Sequence, residues 1–148
     1  MQSTLDKSTR DKLRARINLL NENSTAEWGK MNVYQMIKHC SLWEEMVLGN
    51  KTYKQVFIGR IFGKMALRNV LKDEKPLRRN TPTIPDLIIK ETNGEIANEK
   101  MKWIALLEKY EHFTNDNFIH PFFGKMTREQ IGYVAYKHND HHLRQFGV

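Results

Sequence analysis

The chain is expected to be all-α, a four-helix bundle with a long crossover loop. Three observations point there: apolar residues recur at helical spacing in five segments, no stretch alternates like a half-buried strand, and one proline-punctuated segment, residues 73–94, interrupts the pattern. With 148 residues and 40% hydrophobic side chains, a single domain over 1–148 is long enough to bury a core.

Leu13, Ile17 and Leu20 stand at i, i+4 and i+7 and predict a first helix over residues 9–21, closed by Asn21-Glu22-Asn23-Ser24. Asn32 with Gln35 three residues on reads as a capping box, so a second helix opens there and runs to Gly49. A third covers residues 53–71. Pro76, Pro82 and Pro85 then forbid an unbroken helix, leaving 73–94 as a long loop with a short extended piece at Leu87-Ile88-Ile89. Loops of that length in compact domains tend to carry function. The fourth helix begins near Glu95 and uses Ile96, Trp103, Ile104, Leu107 and Tyr110. Residues 113–123 connect it to a final helix, which Thr127 and Gln130 cap and which ends at Phe146.

Two helices are entered by the same step, Trp28-Gly29-Lys30-Met31 before Asn32 and Phe123-Gly124-Lys125-Met126 before Thr127, while Phe62-Gly63-Lys64-Met65 has no cap after it. An internal repeat and shared helix-entry chemistry both account for this.

The first residues, Met1-Gln2-Ser3-Thr4-Leu5-Asp6, lack the basic cluster and apolar stretch of a signal peptide, and no run approaches the ~18 apolar residues of a membrane span. A soluble, cytoplasmic protein with no membrane partner is expected. The single cysteine, Cys40, excludes an intrachain disulfide framework and a cysteine-rich zinc module, so a metal would fall to histidine and carboxylate. Cys40 itself reads as a buried free thiol. The net charge of +7 is scattered from Lys7 to Arg144 and reads as a solvated basic surface. No aromatic-interleaved basic motif appears, so nucleic acid is not the expected partner.

Three of the six histidines lie near the end of the chain. At about 100° per residue, Ile131, Val134, Ala135 and Phe146 share one face of the final helix; His138 and His142 fall within it, with His141 at its edge. Residues four apart stand one above the other, so the two imidazoles can converge on one ion. On the second helix His39 lies in the apolar arc near Leu42, Trp43 and Met46, away from Lys38 and Glu45. Alone, such a histidine is more often a hydrogen-bonded core residue. Three inward histidines on two helices point instead to a metal, because an unpartnered buried imidazole is costly and neutral imidazole is the commonest nitrogen ligand. Three imidazoles with an open fourth position are the arrangement of catalytic zinc and similar ions.

The segment from Trp28 to Gly49 with His39 mid-helix, and the closing run from His120-Pro121-Phe122-Phe123-Gly124-Lys125-Met126-Thr127 through His138-Asn139-Asp140-His141-His142-Leu143-Arg144-Gln145-Phe146-Gly147, resemble the DinB/YfiT-like superfamily. The likeness is to its branch of DinB-like domains ending in a His-rich helix, and it covers nearly the whole chain. The resemblance implies a bundle of up-down-down-up type, usually dimeric, with a divalent metal held by His39, His138 and His142. It leaves zinc, nickel, iron and manganese as candidate ions, geometry and supply deciding among them. It also implies, for some relatives, a thiol-dependent S-transferase or hydrolase that uses a low-molecular-weight thiol as cosubstrate on a small-molecule substrate. A homodimer is expected on a second ground: the first helix and Phe57, Ile58, Ile61, Phe62 and Met65 offer more apolar surface than one core needs.

No Glu follows His138, a departure from the HExxH metalloprotease motif, and Asp140 lies opposite the pair. Trp43, Met46 and Gln145 are expected to wall a pocket. Gln145, one turn beyond His142, orients a ligand or substrate, or else caps a frayed terminus. Glu44 is a candidate to support a ligand from behind, toward the other side of the arc. His120 is read as a loop residue near the site mouth and His112 as a surface side chain. Lys75, Arg78 and Arg79 either receive an anionic thiol or form a solvated charge run. Two classes remain: an enzyme whose metal acidifies a thiol or water, and a dimeric helical module, with metal or without, that turns nothing over. A hydrolase needs a proton acceptor near the metal and none stands out, which favours transfer. Metal loss is expected as pH falls through the ordinary histidine value of about 6.5.

Overall fold

The structure is a computed structural model describing residues 1–115 and 117–148. It is mostly helical. Among the described residues five α-helices follow in order: α1 (Lys7–Leu19), α2 (Val33–Val47), α3 (Phe57–Leu71), α4 (Ile96–Glu108) and α5 (Arg128–Gln145). Two-residue strands β1 (Ile119–His120) and β2 (Gly124–Lys125) pair antiparallel ahead of α5, with His120 opposite Gly124. None of these helices is long and apolar enough to cross a membrane.

Both capping boxes form. Asn32 Oδ1 accepts from the Gln35 N–H at 2.9 Å while Gln35 Oε1 accepts from the Asn32 N–H at 3.1 Å, and Thr127 and Gln130 repeat the exchange before α5. Gly29 and Gly124 both sit in the left-handed region, at φ 85° and 75°, where a side chain would be strained. The aromatic-Gly-Lys-Met step is therefore a turn chemistry for entering a helix; its third copy simply continues α3.

α2 packs against α4 and α5, and α1 packs against the same two. Leu13, Ile17, Met36, Ile37, Trp103, Leu107 and Leu143 are almost fully enclosed between them, each contributing roughly 1.5–3 kcal/mol by leaving water. α3 lies to one side. It begins at Phe57 rather than Tyr53, because the chain ahead of it is held extended by the Val56 N–H donating to the Pro121 carbonyl at 2.9 Å. Its buried residues are Gly59, Gly63 and Leu67, and a Cβ at either glycine would meet the Phe122 carbonyl oxygen within 2.5 Å. Close backbone approach thus replaces side-chain interdigitation. Phe57, Ile58, Ile61, Phe62 and Met65 are left exposed.

Two local expectations are corrected. The Leu87-Ile88-Ile89 piece is extended only after its first residue: Leu87 closes a 3-10 turn over Pro85–Leu87, with proline fixing its first position, and Ile88 is extended, with Leu87 and Ile89 buried and Ile88 not. The 113–123 connection holds β1, which two residues are too few to announce by alternation; residue 116 of that connection lies outside the described residues.

The long loop is tied down on both flanks. Lys137 Nζ donates to the carbonyls of Val70, Asp73 and Lys75 at 2.7, 2.6 and 3.0 Å. Asn32 Nδ2 and Gln35 Nε2 donate to the carbonyls of Thr92 and Ile89. Anchored so, the loop passes over the junction of α2 and α5, where the histidines are.

Candidate metal centre

His39 from α2 and His138 and His142 from α5 come together, with ligand nitrogens that all lie within 4.8 Å of one another. His39 Nε2 and His138 Nε2 are 3.1 Å apart. Helix geometry sets the α5 pair one above the other; the tight contact of α2 with α5 brings His39 across. Trp43, one turn beyond His39, stacks on His138 with ring centroids 4.4 Å apart and planes 14° from parallel.

Hydrogen bonds fix which nitrogens face inward. His39 Nδ1–H donates to the Leu87 carbonyl at 2.9 Å, so the neutral ring carries its lone pair on Nε2. Gln145 Nε2 donates to the Trp28 carbonyl at 2.8 Å, which orients the amide so that its Oε1 accepts from His142 Nδ1–H at 2.9 Å. His142 Nε2 is thereby also a lone pair. His138 Nδ1 is enclosed without a partner, at a cost of about 1–3 kcal/mol, and its Nε2 is the nitrogen that meets His39.

Burial keeps these rings neutral. Desolvation lowers His39, and holds His138 and His142 well below the ordinary histidine value; repulsion from neighbouring imidazoles adds to it at each. The donor set fits a divalent ion of the zinc type. Nitrogens bound 2.0–2.1 Å from a tetrahedral ion lie about 3.3 Å apart; the His39–His138 pair is at 3.1 Å and the whole set within 4.8 Å. The outward nitrogens of His39 and His142 are already held by a carbonyl and an amide, the support that orients ligand histidines.

The other candidates separate. Trp43, Gln145 and His120 belong to the neighbourhood, His120 lying with its ring 6.4 Å from that of Trp43. His141 stands beside His142 and against the edge of Trp28. Met46 is enclosed in the apolar core. Glu44 reaches none of the three histidines: its Oε1 accepts from Asn139 Nδ2 at 2.7 Å and its Oε2 from the Tyr110 hydroxyl. Desolvation is the main cause that raises its pKa to about 7. Asp140 faces away and pairs with Arg16 and Arg144, each at 2.7 Å. Cys40 is a buried free thiol, held protonated by desolvation, and His112 is exposed. Arg79 stacks on the Trp28 ring at 4.0 Å, while Lys75 and Arg78 are exposed. Two surface concavities, of about 410 and 510 Å³, are lined by residues such as Lys64 and Arg128 or Lys109 and His112, away from the histidines.

Three contributors had no sequence signal or a faint one. The Leu87 carbonyl is main chain from a loop, invisible to any residue pattern. Asn139, whose amide also bonds Trp103 Nε1 at 2.8 Å, and Tyr110 became legible only once the buried face of α5 was set against α2 and α4.

The family model described as "Protein of unknown function (DUF1569)" matches residues 1–147. No curated protein and no solved structure matches the chain.

Proposed function

The chain belongs to the DUF1569 family, and for this member we propose a divalent-metal-binding protein that transfers a small thiol to an electrophile, with His39, His138 and His142 as the ligands. The observation that carries the reading is the convergence of three imidazoles, those of His39 and His142 buried and that of His138 partly buried, with the first two locked with Nε2 inward. A bound divalent cation would supply the positive charge that favours a thiolate over a thiol near neutral pH. The chain's own residues supply the rest: Leu87 and Gln145 hold the ligand rings, Trp43 shields one face, and the low dielectric keeps the imidazoles unprotonated. In the transfer, sulfur forms a bond to carbon as a carbon–chlorine or epoxide carbon–oxygen bond breaks, and the thiol proton passes to water or to the leaving oxygen. Low-molecular-weight thiols offered with chloro-aromatic or epoxide acceptors are expected to show metal-dependent turnover that His39→Ala removes. Metal-loaded protein inert with every thiol would replace this with a metal-binding module.

The wider assignment is that the DinB/YfiT-like bundle, in up-down-down-up order, underlies this family. It is supported by α1, α2, α4 and α5 sharing one core and by histidines at mid-α2 and at an HxxxH pair on the last helix. The exposed α3 face of Phe57, Ile58, Ile61, Phe62 and Met65 supports a homodimer, since a soluble chain rarely leaves such a row uncovered. Light scattering at micromolar concentration should give twice the 17.6 kDa chain mass, and Ile61→Asp should halve it. A wild-type monomer would remove the claim.

A further inference from the structure

His120 is built in the opposite sense to the three clustered histidines. Its Nδ1 accepts two backbone N–H bonds, from Phe122 and Phe123, both at 3.1 Å. These come from the turn that β1 and β2 close, in which Pro121 has no N–H and Gly124 takes the left-handed backbone. A nitrogen that accepts carries no proton, so the neutral ring bears its proton on Nε2. His39 and His142, donating through Nδ1, carry theirs on the other atom. The sequence marked His120 only as a loop residue near the site mouth; the turn makes it a donor at Nε2 where His39 and His142 carry a lone pair.

Its ring shares a neighbour, Trp43, with the cluster. The ring is 8% exposed and caged by Trp43, Phe118 and Phe123, with centroids at 6.4, 6.0 and 4.5 Å. Trp43 is the same side chain that stacks on His138. His120 is also near enough that its charge would disfavour charge on His138. Among the described residues no acceptor pairs with its Nε2–H, and that nitrogen is not one of the fully enclosed polar atoms that lack a partner. Burial brings its pKa down to about 4, so the ring stays neutral at ordinary pH.

We infer that His120 is a binding residue of this site and not a fourth ligand: its Nε2–H donates to an oxygen, carboxylate or carbonyl, of a small ligand held beside His39, His138 and His142. This rests on the metal reading above. A neutral donor next to a cation suits an oxygen bearing full or partial negative charge, which the donor can bind without adding charge of its own. It also confines the acceptor substrates to those with such an oxygen near the reacting carbon.

Two measurements test it. In metal-free protein, nitrogen-15 NMR should find His120 protonated at Nε2 and His39 and His142 at Nδ1; His120 protonated at Nδ1 overturns the inference whatever the metal does. In cobalt(II)-loaded protein, acetate titrated against the visible spectrum should bind, and His120→Phe, which keeps the ring volume, should weaken it by roughly three- to tenfold, the effect of one lost hydrogen bond, with cobalt content unchanged. His120→Gln, which keeps an N–H donor, should recover part of the affinity. Equal acetate affinity without His120 overturns the inference alone, and cobalt loss in His120→Phe overturns it by making His120 a ligand. A wild-type chain that takes up no cobalt overturns the metal reading and this inference together.

Discussion

Replacing His138 and His142 together by alanine is expected to reduce bound divalent metal from about one ion per chain to none. The expectation follows from the geometry: the three nitrogens converge within 4.8 Å, and the double replacement leaves His39 alone, a single neutral imidazole with no chelating partner. Elemental analysis of tag-free protein is the direct measurement. A thermal readout separates lost binding from lost folding, because a metal that binds only the native state at a hundred times its Kd adds about 2.7 kcal/mol of stability. Added metal should raise the melting temperature of the wild type and leave that of a folded double variant where it was. His142→Ala also strands the Gln145 Oε1 that it satisfied, so a modest destabilisation without metal is expected. Unchanged metal content in the double variant would sink the assignment of these ligands.

Glu44→Gln is expected to flatten the pH dependence of stability between about pH 5 and 8. Glu44 is wholly enclosed and its pKa stands at about 7 against an ordinary 4.5, desolvation outweighing the hydrogen bonds from Tyr110 and Asn139. The folded state therefore holds this proton more tightly than the unfolded chain. Stability from this group is fully present below about pH 4.5 and is lost as pH rises through 7, by on the order of 2–3 kcal/mol between pH 5 and 8. Gln has no proton to lose. Its Oε1 can accept from Asn139 and its Nε2 can donate to the Tyr110 hydroxyl oxygen, so the network keeps its partners. The buried histidines act the other way: their lowered values mean stability is gained as pH rises toward 6.5, which is why the difference between variant and wild type is the quantity to read. Urea unfolding at the two pH values supplies it. Parallel pH slopes for the two chains would show that Glu44 does not titrate in this range.

Helix existence and helix entry were legible in the residues. Asn32 with Gln35 and Thr127 with Gln130 form the capping boxes their spacing implies, and the 3.6-residue period puts His39 and His142 among buried side chains, with His138 partly buried beside them. That period is a property of one segment against its own axis, so it needs no knowledge of any neighbour. The same locality sets its limit. The 53–71 segment is apolar enough for a helix, yet whether its apolar row is buried depends on what packs there, and two glycines against Phe122 turn that row outward.

What the sequence by itself determined, then, is the set of helices, the two capping boxes, and the helix face that His39, His138 and His142 share with apolar residues, because backbone periodicity and capping are decided within a few residues. Which histidine nitrogen carries the proton was decided only by tertiary structure. The Leu87 carbonyl reaches His39 across 48 positions, the Trp28 carbonyl fixes Gln145 across 117, and a hairpin turn gives His120 the reverse tautomer. Glu44 likewise became a buried proton-holder only when α2, α5 and Tyr110 closed around it. Hydrogen-bond polarity between distant segments depends on the path of loops and the approach of helices, and no periodic pattern in a chain records it.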